Sequence, residues 1–364
     1  MLRSENFLIR YRRYVLGALL IHLAALLLFT GLRSYYVHRV SKDAERDVDV
    51  IVIAMSATLQ GYINELAVLA DTVRSATADD GHLSGGERDE LVHVARHVLE
   101  RDPVALCSWI WLEPDAAHGD AAYAQNANYP EQGRFFVSFV RRPENRIVRT
   151  FDLVPSNREL RQPDGMSFYL EALRRSDLWI DVDTAGYTYG GVLKDPVTMV
   201  TLSYPVVGAE VPHKVYGVVG LDFPSDRFLA PHVDAAVRIP HNFIVVKSDE
   251  TLICVTSSGF GSLGANIQDP TRVWQDDLVA LASVIRTSQT AKVTQRVGDR
   301  WIRSVPLYYT TPYSKGVRYV IASVVLHKED VYREGTRQAL RTTLLAFVLV
   351  LLGWTYIYIQ LFDL

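Results

Sequence analysis

Cysteine is scarce in this chain, since Cys107 and Cys254 are the only two among 364 residues. Two cysteines cannot build a disulfide scaffold or a four-cysteine zinc site. They fall in different predicted strands, so each is expected to be a separate buried thiol. An excess of one charge is also missing, because the formal net charge is −3. That balance argues against a nucleic-acid-binding surface.

Catalytic and metal-binding motifs are equally scarce. No G-x-S-x-G, Walker or protein-kinase motif occurs. Residues 259–264 satisfy G-x-G-x-x-G, but loop-like sequence follows where a dinucleotide site needs a helix, which favours a turn. His93 and His97 are one helical turn apart without a third ligand, which favours a solvated helix face over a metal pair. We therefore predict no catalytic residue, no metal, no cofactor and no enzyme.

Two long runs without charge are present, at residues 14–32 and 342–362. About 20 apolar residues cross the hydrocarbon core of a bilayer, so both runs are predicted membrane helices. The first is longer than a signal-peptide core and lacks a small-x-small cleavage site, which favours an uncleaved anchor. Four arginines precede it and favour a cytoplasmic N-terminus. Arginines before the second run oppose this orientation, and we let the first helix decide.

The segment between these runs reads as helices and short strands in an α+β pattern. The predicted organisation is: 1–13 cytoplasmic N-terminus, 14–32 first membrane helix, 33–78 stalk helix, 79–230 membrane-distal ligand-binding module, 231–327 membrane-proximal module, 328–341 connecting helix, 342–362 second membrane helix. About 300 residues are thereby placed outside the cytoplasm.

The stalk carries apolar residues spaced alternately three and four apart, a heptad stripe. They are Val52, Met55, Leu59, Tyr62, Leu66, Leu69 and Val73. Such a stripe fits packing against the chain's own outer region, or against a second copy in a parallel homodimer. Both alternatives stay open, and a homodimer is predicted.

Each module combines strands with helices. In the distal module we predict helices at 87–101, after a Ser84–Glu87 capping box, and at 167–176. Its strands are predicted at 104–112, 134–141, 146–154, 198–207 and 214–223. In the proximal module we predict strands at 243–247, 251–256, 291–297, 301–308 and 318–325, with a helix at 271–288. The pairing is expected to be mainly antiparallel, because short turns join most strands.

Three stretches carry specific motifs. The first is Trp111-Leu-Glu-Pro-Asp115, followed by Gly133-Arg-Phe-Phe136. The second is Phe168-Tyr169-x-x-Ala172, followed by Trp179 and by Tyr187-x-Tyr189. The third is Thr201-Leu-Ser-Tyr-Pro-Val206, followed by Gly217-Val-Val-Gly-Leu-Asp222. Together they resemble the double Cache sensor domain, the extracytoplasmic input of bacterial chemoreceptors and some sensor kinases. The resemblance covers about residues 35–340. It implies a long helix and two tandem PAS-like modules, flanked by two membrane helices.

The resemblance also implies a binding site. In amino-acid-binding members, an Arg-x-Trp-Tyr stretch holds the ligand carboxylate, while a downstream Tyr and the Asp of the last strand hold the amine. The matching stretch here is Met166-Ser-Phe168-Tyr169, and Asp222 ends the matching strand. The implied ligand-binding residues are Tyr169, Asp222, Trp179, Tyr187, Phe168, Trp111 and Met166, with Met166 at the rim of a cavity. The alternatives are that the tryptophans are core aromatics and that Asp222 caps a helix.

Methionine stands where the family has arginine, and it offers no bidentate fork to a carboxylate. The remaining acid among aromatic rings suits a cationic amine, through charge pairing and cation–π contact. An α-amino acid ligand would require Arg134 or Arg149 to reach the site. Glu113 and Asp120 are expected to fix their own loop.

The predicted function is the sensor region of a methyl-accepting chemotaxis receptor in the bacterial inner membrane. It would bind a small extracytoplasmic solute and signal to a cytoplasmic module. Because the chain stops at Leu364, that module is expected in a missing C-terminal part or in a partner protein. The alternatives are the input of a histidine kinase or cyclic-nucleotide enzyme, or a ligand-less adaptor membrane protein.

Overall fold

The structure is a computed structural model of the chain. It describes residues 2–78, 83–114, 116, 119–126, 133–150, 166–208, 214–225, 227–228, 241–247, 252–255, 293–298, 300–311 and 318–362. Four α-helices lie within these ranges: α1 (Leu2–Ala78), α2 (Gly85–Arg101), α3 (Ser167–Arg175) and α4 (Lys328–Phe362). A short 3₁₀ helix spans Asp120–Tyr123.

The first predicted membrane helix and the stalk form one helix of 77 residues, α1. The sequence contains no proline over this length, so nothing forces a break between the two segments. α1 and α4 each contain a stretch long and apolar enough to cross a membrane. In these stretches, large apolar side chains are exposed, for example Leu19, Leu27, Leu344 and Leu352 at 61–64 %. Exposure of such apolar surfaces to water is unfavourable, whereas their contact with lipid is not.

The large sheet has six strands: β1 (Cys107–Leu112), β2 (Phe136–Arg141), β3 (Ile147–Arg149), β4 (Trp179–Tyr187), β5 (Val197–Val207) and β6 (Val215–Pro224). Their spatial order is β3-β2-β1-β6-β5-β4, and all neighbours pair antiparallel. The predicted hairpin after Arg141 is confirmed. Strand β4 was not predicted, although Ile180-Asp-Val-Asp183 alternates apolar and polar residues as a strand with one buried face does.

The small sheet has five strands: β7 (His241–Lys247), β8 (Leu252–Val255), β9 (Val293–Val297), β10 (Arg300–Tyr309) and β11 (Arg318–His327). Their order is β8-β7-β11-β10-β9, with antiparallel neighbours. All five strands were predicted, with bounds that differ by a few residues. The predicted helix at 271–288, the turn at 259–264 and the boundary at 230/231 lie outside the described residues.

The heptad stripe of α1 packs against both sheets of its own chain. Met55, Leu59, Leu66 and Val73 are at most 1 % exposed and belong to a single core with residues of both sheets. The first alternative for this stripe is therefore confirmed. A parallel homodimer cannot form through the predicted seam, because the seam is already covered.

Helix α2 begins with the predicted capping box, in which Ser84 and Glu87 each bond the other's backbone N–H. With α1, it covers one face of the large sheet, where Ile110, Val137 and Val219 point. The opposite face carries a second apolar cluster, which is packed against α3 and contains Trp109 and Trp111. We call this second group the aromatic cluster; its buried members are Leu106, Cys107, Trp109, Trp111, Phe136, Val140, Met166, Tyr169, Ala172, Tyr189, Leu193, Met199 and Val218.

Candidate functional site

Asp222 lies near the end of β6, on the sheet face that carries the aromatic cluster. The strand register places Cys107 of β1 directly on one side of it and Thr201 of β5 on the other. Two residues along, Trp109 lies opposite Gly220. A Cβ at Gly220 would approach the Trp109 indole to 2.1 Å, so only glycine lets this ring lie flat on β6 and reach Asp222.

The carboxylate of Asp222 is 2 % exposed and accepts hydrogen bonds from Trp109, Thr201 and Tyr189, with the Cys107 thiol as a further partner. Trp109 Nε1 donates at 3.1 Å and Thr201 Oγ1 at 2.9 Å, both to Oδ1, while the Tyr189 hydroxyl donates to Oδ2 at 2.7 Å. Burial raises the pKa of Asp222, and these hydrogen bonds partly offset the rise. Among the described residues, the carboxylate therefore bonds to side chains on the sheet face, and the groups that donate to it are neutral.

A second polar group lies at the other end of the aromatic cluster. The Tyr169 hydroxyl donates to Glu113 and accepts from Arg134 Nη2 at 2.8 Å. Arg134 also pairs with Glu113 at 3.0 Å and donates to the carbonyl of Leu112. Burial raises the pKa of Tyr169, so its hydroxyl stays protonated. The guanidinium of Arg134 lies 5.0 Å from the centroid of the Trp111 ring.

Arg134 therefore reaches the site, which was the condition set for an α-amino acid ligand. Its charge is paired with Glu113, so the two groups together are close to neutral. Glu113 does more than fix its own loop, because it accepts hydrogen bonds from both Tyr169 and Arg134.

The other predicted site residues lie in or against the aromatic cluster. Phe168 packs edge-to-face on Trp109 at 5.4 Å, and Tyr187 packs edge-to-face on Tyr189 at 4.9 Å. Trp179 is partly buried and is covered by the guanidinium of Arg175 at 4.5 Å. The remaining two are Trp111, whose ring lies 4.3 Å from that of Tyr169 at an interplanar angle of 33°, and Met166, at the N-terminus of α3. Met166 is 6 % exposed and belongs to the aromatic cluster, and its position at the rim of a cavity stays a prediction. Direct ligand contact by these seven residues stays a prediction.

Sequence reasoning did not select the groups that hold Asp222. Trp109 stands outside the motifs that carry the resemblance, while Tyr189 and Thr201 lie in those motifs without an assigned role. The alternation of β1, which puts Cys107, Trp109 and Trp111 on one face, would have selected Trp109. The bond to Tyr189 depends on a turn in which Tyr189, Gly190 and Gly191 all have positive φ, at 50°, 65° and 79°.

A buried ion pair supports the loop before β2. Arg88 of α2 is fully buried and donates to Asp120 at 2.7 Å and to the carbonyl of Gly133 at 2.8 Å. Its guanidinium lies 3.9 Å from the centroid of the Tyr123 ring. Gly133 has φ +73°, and a Cβ there would lie 1.7 Å from the Asp120 carbonyl oxygen, which excludes other residues. The expectation that Asp120 fixes its loop is confirmed.

A groove of about 390 Å³ lies between α1 and α2, on the opposite side of the large sheet from Asp222. His93 and His97 line it, and both are exposed. Within the described ranges, no three His, Cys, Asp or Glu side chains are placed to hold a metal ion.

Comparison with known proteins decides the fold. The periplasmic sensory domain of the Campylobacter jejuni chemoreceptor Tlp1 is similar over 80 % of this chain and 98 % of its own, with 12 % identity and a TM-score of 0.53. The extracellular domain of mmHK1S-Z2, which is named as a histidine kinase, is similar over 80 % of this chain and 98 % of its own, with 16 % identity and a TM-score of 0.54. The fold is that of a double Cache sensor domain.

A third similar structure comes from Vibrio parahaemolyticus and is named as a domain of a sensory box/GGDEF family protein. It covers 81 % of this chain and 99 % of its own, with 10 % identity and a TM-score of 0.50. No protein-family model and no curated protein sequence matches the chain. The three structures carry names of three different output classes, so this double Cache fold alone does not choose among those outputs.

Proposed function

We propose that the chain is the sensor region of a membrane receptor that binds a small extracytoplasmic solute carrying a cationic amine. The observation that carries this is the carboxylate of Asp222, which is buried among aromatic rings and held only by neutral donors. Ionisation of a carboxyl group buried in this way is unfavourable, because the charge has left water without gaining a positive partner. A ligand ammonium group supplies the missing positive charge, and it would take the place of the Tyr189 hydroxyl.

The charges around the aromatic cluster favour an amine over an anion. Arg134 is the cation that contacts Tyr169 and Trp111, and Glu113 neutralises it. With Asp222 ionised, these three groups carry one net negative charge. A zwitterion is the second candidate, because its carboxylate could compete with Glu113 for the guanidinium of Arg134.

Three ligands of equal chain length separate these possibilities: n-butylamine, 4-aminobutyrate and butyrate. We expect n-butylamine to bind the full chain in detergent most tightly and butyrate to give no heat in titration calorimetry. If Arg134 accepts a carboxylate, 4-aminobutyrate should match or exceed n-butylamine. Thermal shift should agree, since a ligand that binds only the folded state raises the melting temperature.

The Arg134→Gln variant is the matched control for this series. It should reduce binding of 4-aminobutyrate and leave the preference for n-butylamine over butyrate intact. Tight binding of butyrate by the unmodified chain would contradict the amine proposal. Absence of heat from all three ligands would contradict an open amine site and favour the ligand-less adaptor.

The proposed location is the inner membrane, with α1 and α4 as membrane helices and both sheets outside the cytoplasm. The apolar stretches of both helices support this, since their side chains are exposed. We propose chemotaxis as the output, through a cytoplasmic signalling module. The motifs between Trp111 and Asp222 support it by resemblance, and a histidine kinase or cyclic-nucleotide enzyme is the alternative output.

We further propose that the receptor is a homodimer, through a face of α1 other than the buried stripe. This outward face is exposed in the chain and, apart from Asn64, is apolar or small; its residues are Val50, Ile53, Ala57, Gly61, Asn64 and Val68. α1 continues unbroken from the membrane stretch to this face, so two copies in one membrane would stand parallel. Identical faces could then meet across a twofold axis.

Cysteine cross-linking in membranes tests the homodimer. Ala57→Cys should form a disulfide between two copies, because Ala57 is exposed on the outward face. Leu59→Cys is the matched control, two residues away and 1 % exposed in the core, and it should not cross-link. Cross-linking at Leu59 but not at Ala57 would contradict this face.

A further inference from the structure

Asp177 connects the two sheets of the protein. It follows α3 by two residues, after Ser176 turns the chain with φ 48°. Its carboxylate is 8 % exposed. Oδ1 accepts from the backbone N–H of Leu178 at 2.8 Å and from Thr311 Oγ1 at 2.7 Å, and Oδ2 accepts from Arg318 Nη2 at 2.8 Å. Arg318 is the first residue of β11 in the small sheet, and Thr311 follows the end of β10 by two residues.

Thr311 and Arg318 lie at one end of the hairpin formed by β10 and β11. Tyr309 pairs with Arg318 at this end, and Arg300 pairs with His327 at the other. Ten residues of regular ladder span about 30 Å. His327 is followed directly by Lys328, the first residue of α4. A displacement at Asp177 therefore acts on a continuous ladder that leads into α4.

The other end of the connection is the aromatic cluster. α3 is a single helix of nine residues, and it carries Phe168 and Tyr169 two turns before Asp177. The hydroxyl of Tyr169 holds this helix to Arg134 and Glu113. A change at that hydroxyl would move α3 as one body, because nine hydrogen-bonded residues do not bend independently.

The hairpin is held on its second side by α1. Arg303 of β10 forms two bonds to the carboxylate of Asp49, at 2.9 and 3.0 Å. Near the Asp177 end, Gln60 exchanges hydrogen bonds with the backbone of Thr310, at 3.2 and 3.1 Å. The hairpin thus lies between the stalk and Asp177, so a shift of Asp177 changes its position relative to α1.

We propose that Asp177 is the positioning residue that couples the aromatic cluster to the β10–β11 hairpin and so to α4. This rests on the proposed sensor function, in which occupancy of the site must change the state of α4. Coupling requires that the contact differ in free energy between two states. The side chain of Arg318 is about half exposed, so it has room to move. Its ion pair with Asp177 is suited to such a change because it can re-form with a different geometry.

The test is hydrogen exchange of the β10 and β11 amides in the full chain in lipid nanodiscs. Tyr169→Phe removes the hydroxyl that holds α3 and needs no ligand. We expect it to change exchange in the hairpin by about fivefold, the lower end of typical coupling between sites. In an Asp177→Asn background the same substitution should change exchange less than twofold. A purely structural Asp177 would give the full change in both backgrounds, and that result would overturn the proposal.

Two further variants keep the test decisive. Arg318→Gln removes the same ion pair from its exposed side, so it serves if Asp177→Asn does not fold, and it should abolish the coupling equally. Glu171→Gln removes a carboxylate from α3 whose ion pairs within the described ranges are with Arg174 and Arg175, and it should leave the coupling intact. A second arm with saturating n-butylamine should reproduce the change. If n-butylamine fails to bind, the amine proposal fails, while the Tyr169→Phe arm still decides the coupling.

Discussion

Asp222→Asn should lower the affinity of the chain for n-butylamine about ten- to a hundredfold, while its melting temperature at neutral pH is unchanged or higher. The substitution removes the charge that would pair with the ammonium group, which is worth about 1.5–3 kcal/mol. The oxygen of asparagine can still accept from Trp109 and Thr201. Its amide can donate to the Tyr189 hydroxyl, so no buried polar group is left without a partner.

The stability side of this prediction follows from the pKa of Asp222. Burial raises that pKa in the folded chain, so folding favours the protonated carboxyl. The stabilisation by this group is fully present below the ordinary aspartate pKa of about 3.9 and is lost as pH rises through the raised, folded-state pKa. The asparagine variant does not titrate there. Its melting temperature relative to the unmodified chain should therefore increase as pH rises from about 4 towards neutral.

Calorimetry and thermal melts on the same preparations measure both effects. Glu171→Gln serves as the control, since it removes a carboxylate from the exterior of α3, and both affinity and melting temperature should stay close to those of the unmodified chain. Unchanged binding in Asp222→Asn would contradict the amine site. A relative loss of stability with rising pH would show that the Asp222 charge stabilises the fold.

Arg88→Met should lower the free energy of unfolding of the module that contains the large sheet by about 3–5 kcal/mol. This is the largest effect on stability that we expect from a single substitution. Removing one partner of a buried ion pair leaves the other charge without compensation. Asp120 would lose its bond from Arg88, and the Gly133 carbonyl would lose a donor. Urea unfolding followed by tryptophan fluorescence measures the loss, because Trp109 and Trp111 lie within the same module.

Arg96→Met is the matched control on the same helix. Arg96 pairs with Glu100 on the surface and is about half exposed, so its loss should cost less than about 1 kcal/mol. Combining Arg88→Met with Asp120→Leu should recover part of the stability, since both members of the buried pair are then apolar. Equal stability of the Arg88 and Arg96 variants would show that the buried pair contributes little.

Local pattern was enough to predict most elements of the chain. The two apolar runs, the heptad stripe of α1, the capping box of α2 and nearly all strands were located from hydrophobic periodicity, because burial repeats with the period of each element. β4 was missed although Ile180 and Val182 alternate with Asp181 and Asp183, because this repeat is short and ends at Thr184-Ala-Gly186. The motifs between Trp111 and Asp222 also identified the fold by resemblance, before any contact was known.

The partners of the site residues were decided by tertiary structure. The sequence predicted Tyr169 and Asp222 as ligand-binding residues. It did not predict that Arg134 lies against Tyr169, or that Trp109 and Tyr189 donate hydrogen bonds to Asp222. These pairs are separated by 35, 113 and 33 residues. Strand register and loop path decide such pairs, and a shift of one residue in register would turn each side chain to the other face.

Tertiary structure also decided between the two alternatives for the apolar stripe of α1. The spacing of Leu59 and Leu66 in the sequence predicted an apolar stripe without saying what covers it, because a heptad pattern is equally suited to a helix and to a sheet. Only the folded chain shows that both sheets occupy that face. Asp177 and Arg318 are the extreme case, since 141 residues separate them and no local pattern links them. The sequence by itself determined which segments are helix, strand or membrane-spanning candidate; the tertiary structure decided which side chains meet, because that depends on how distant segments pack.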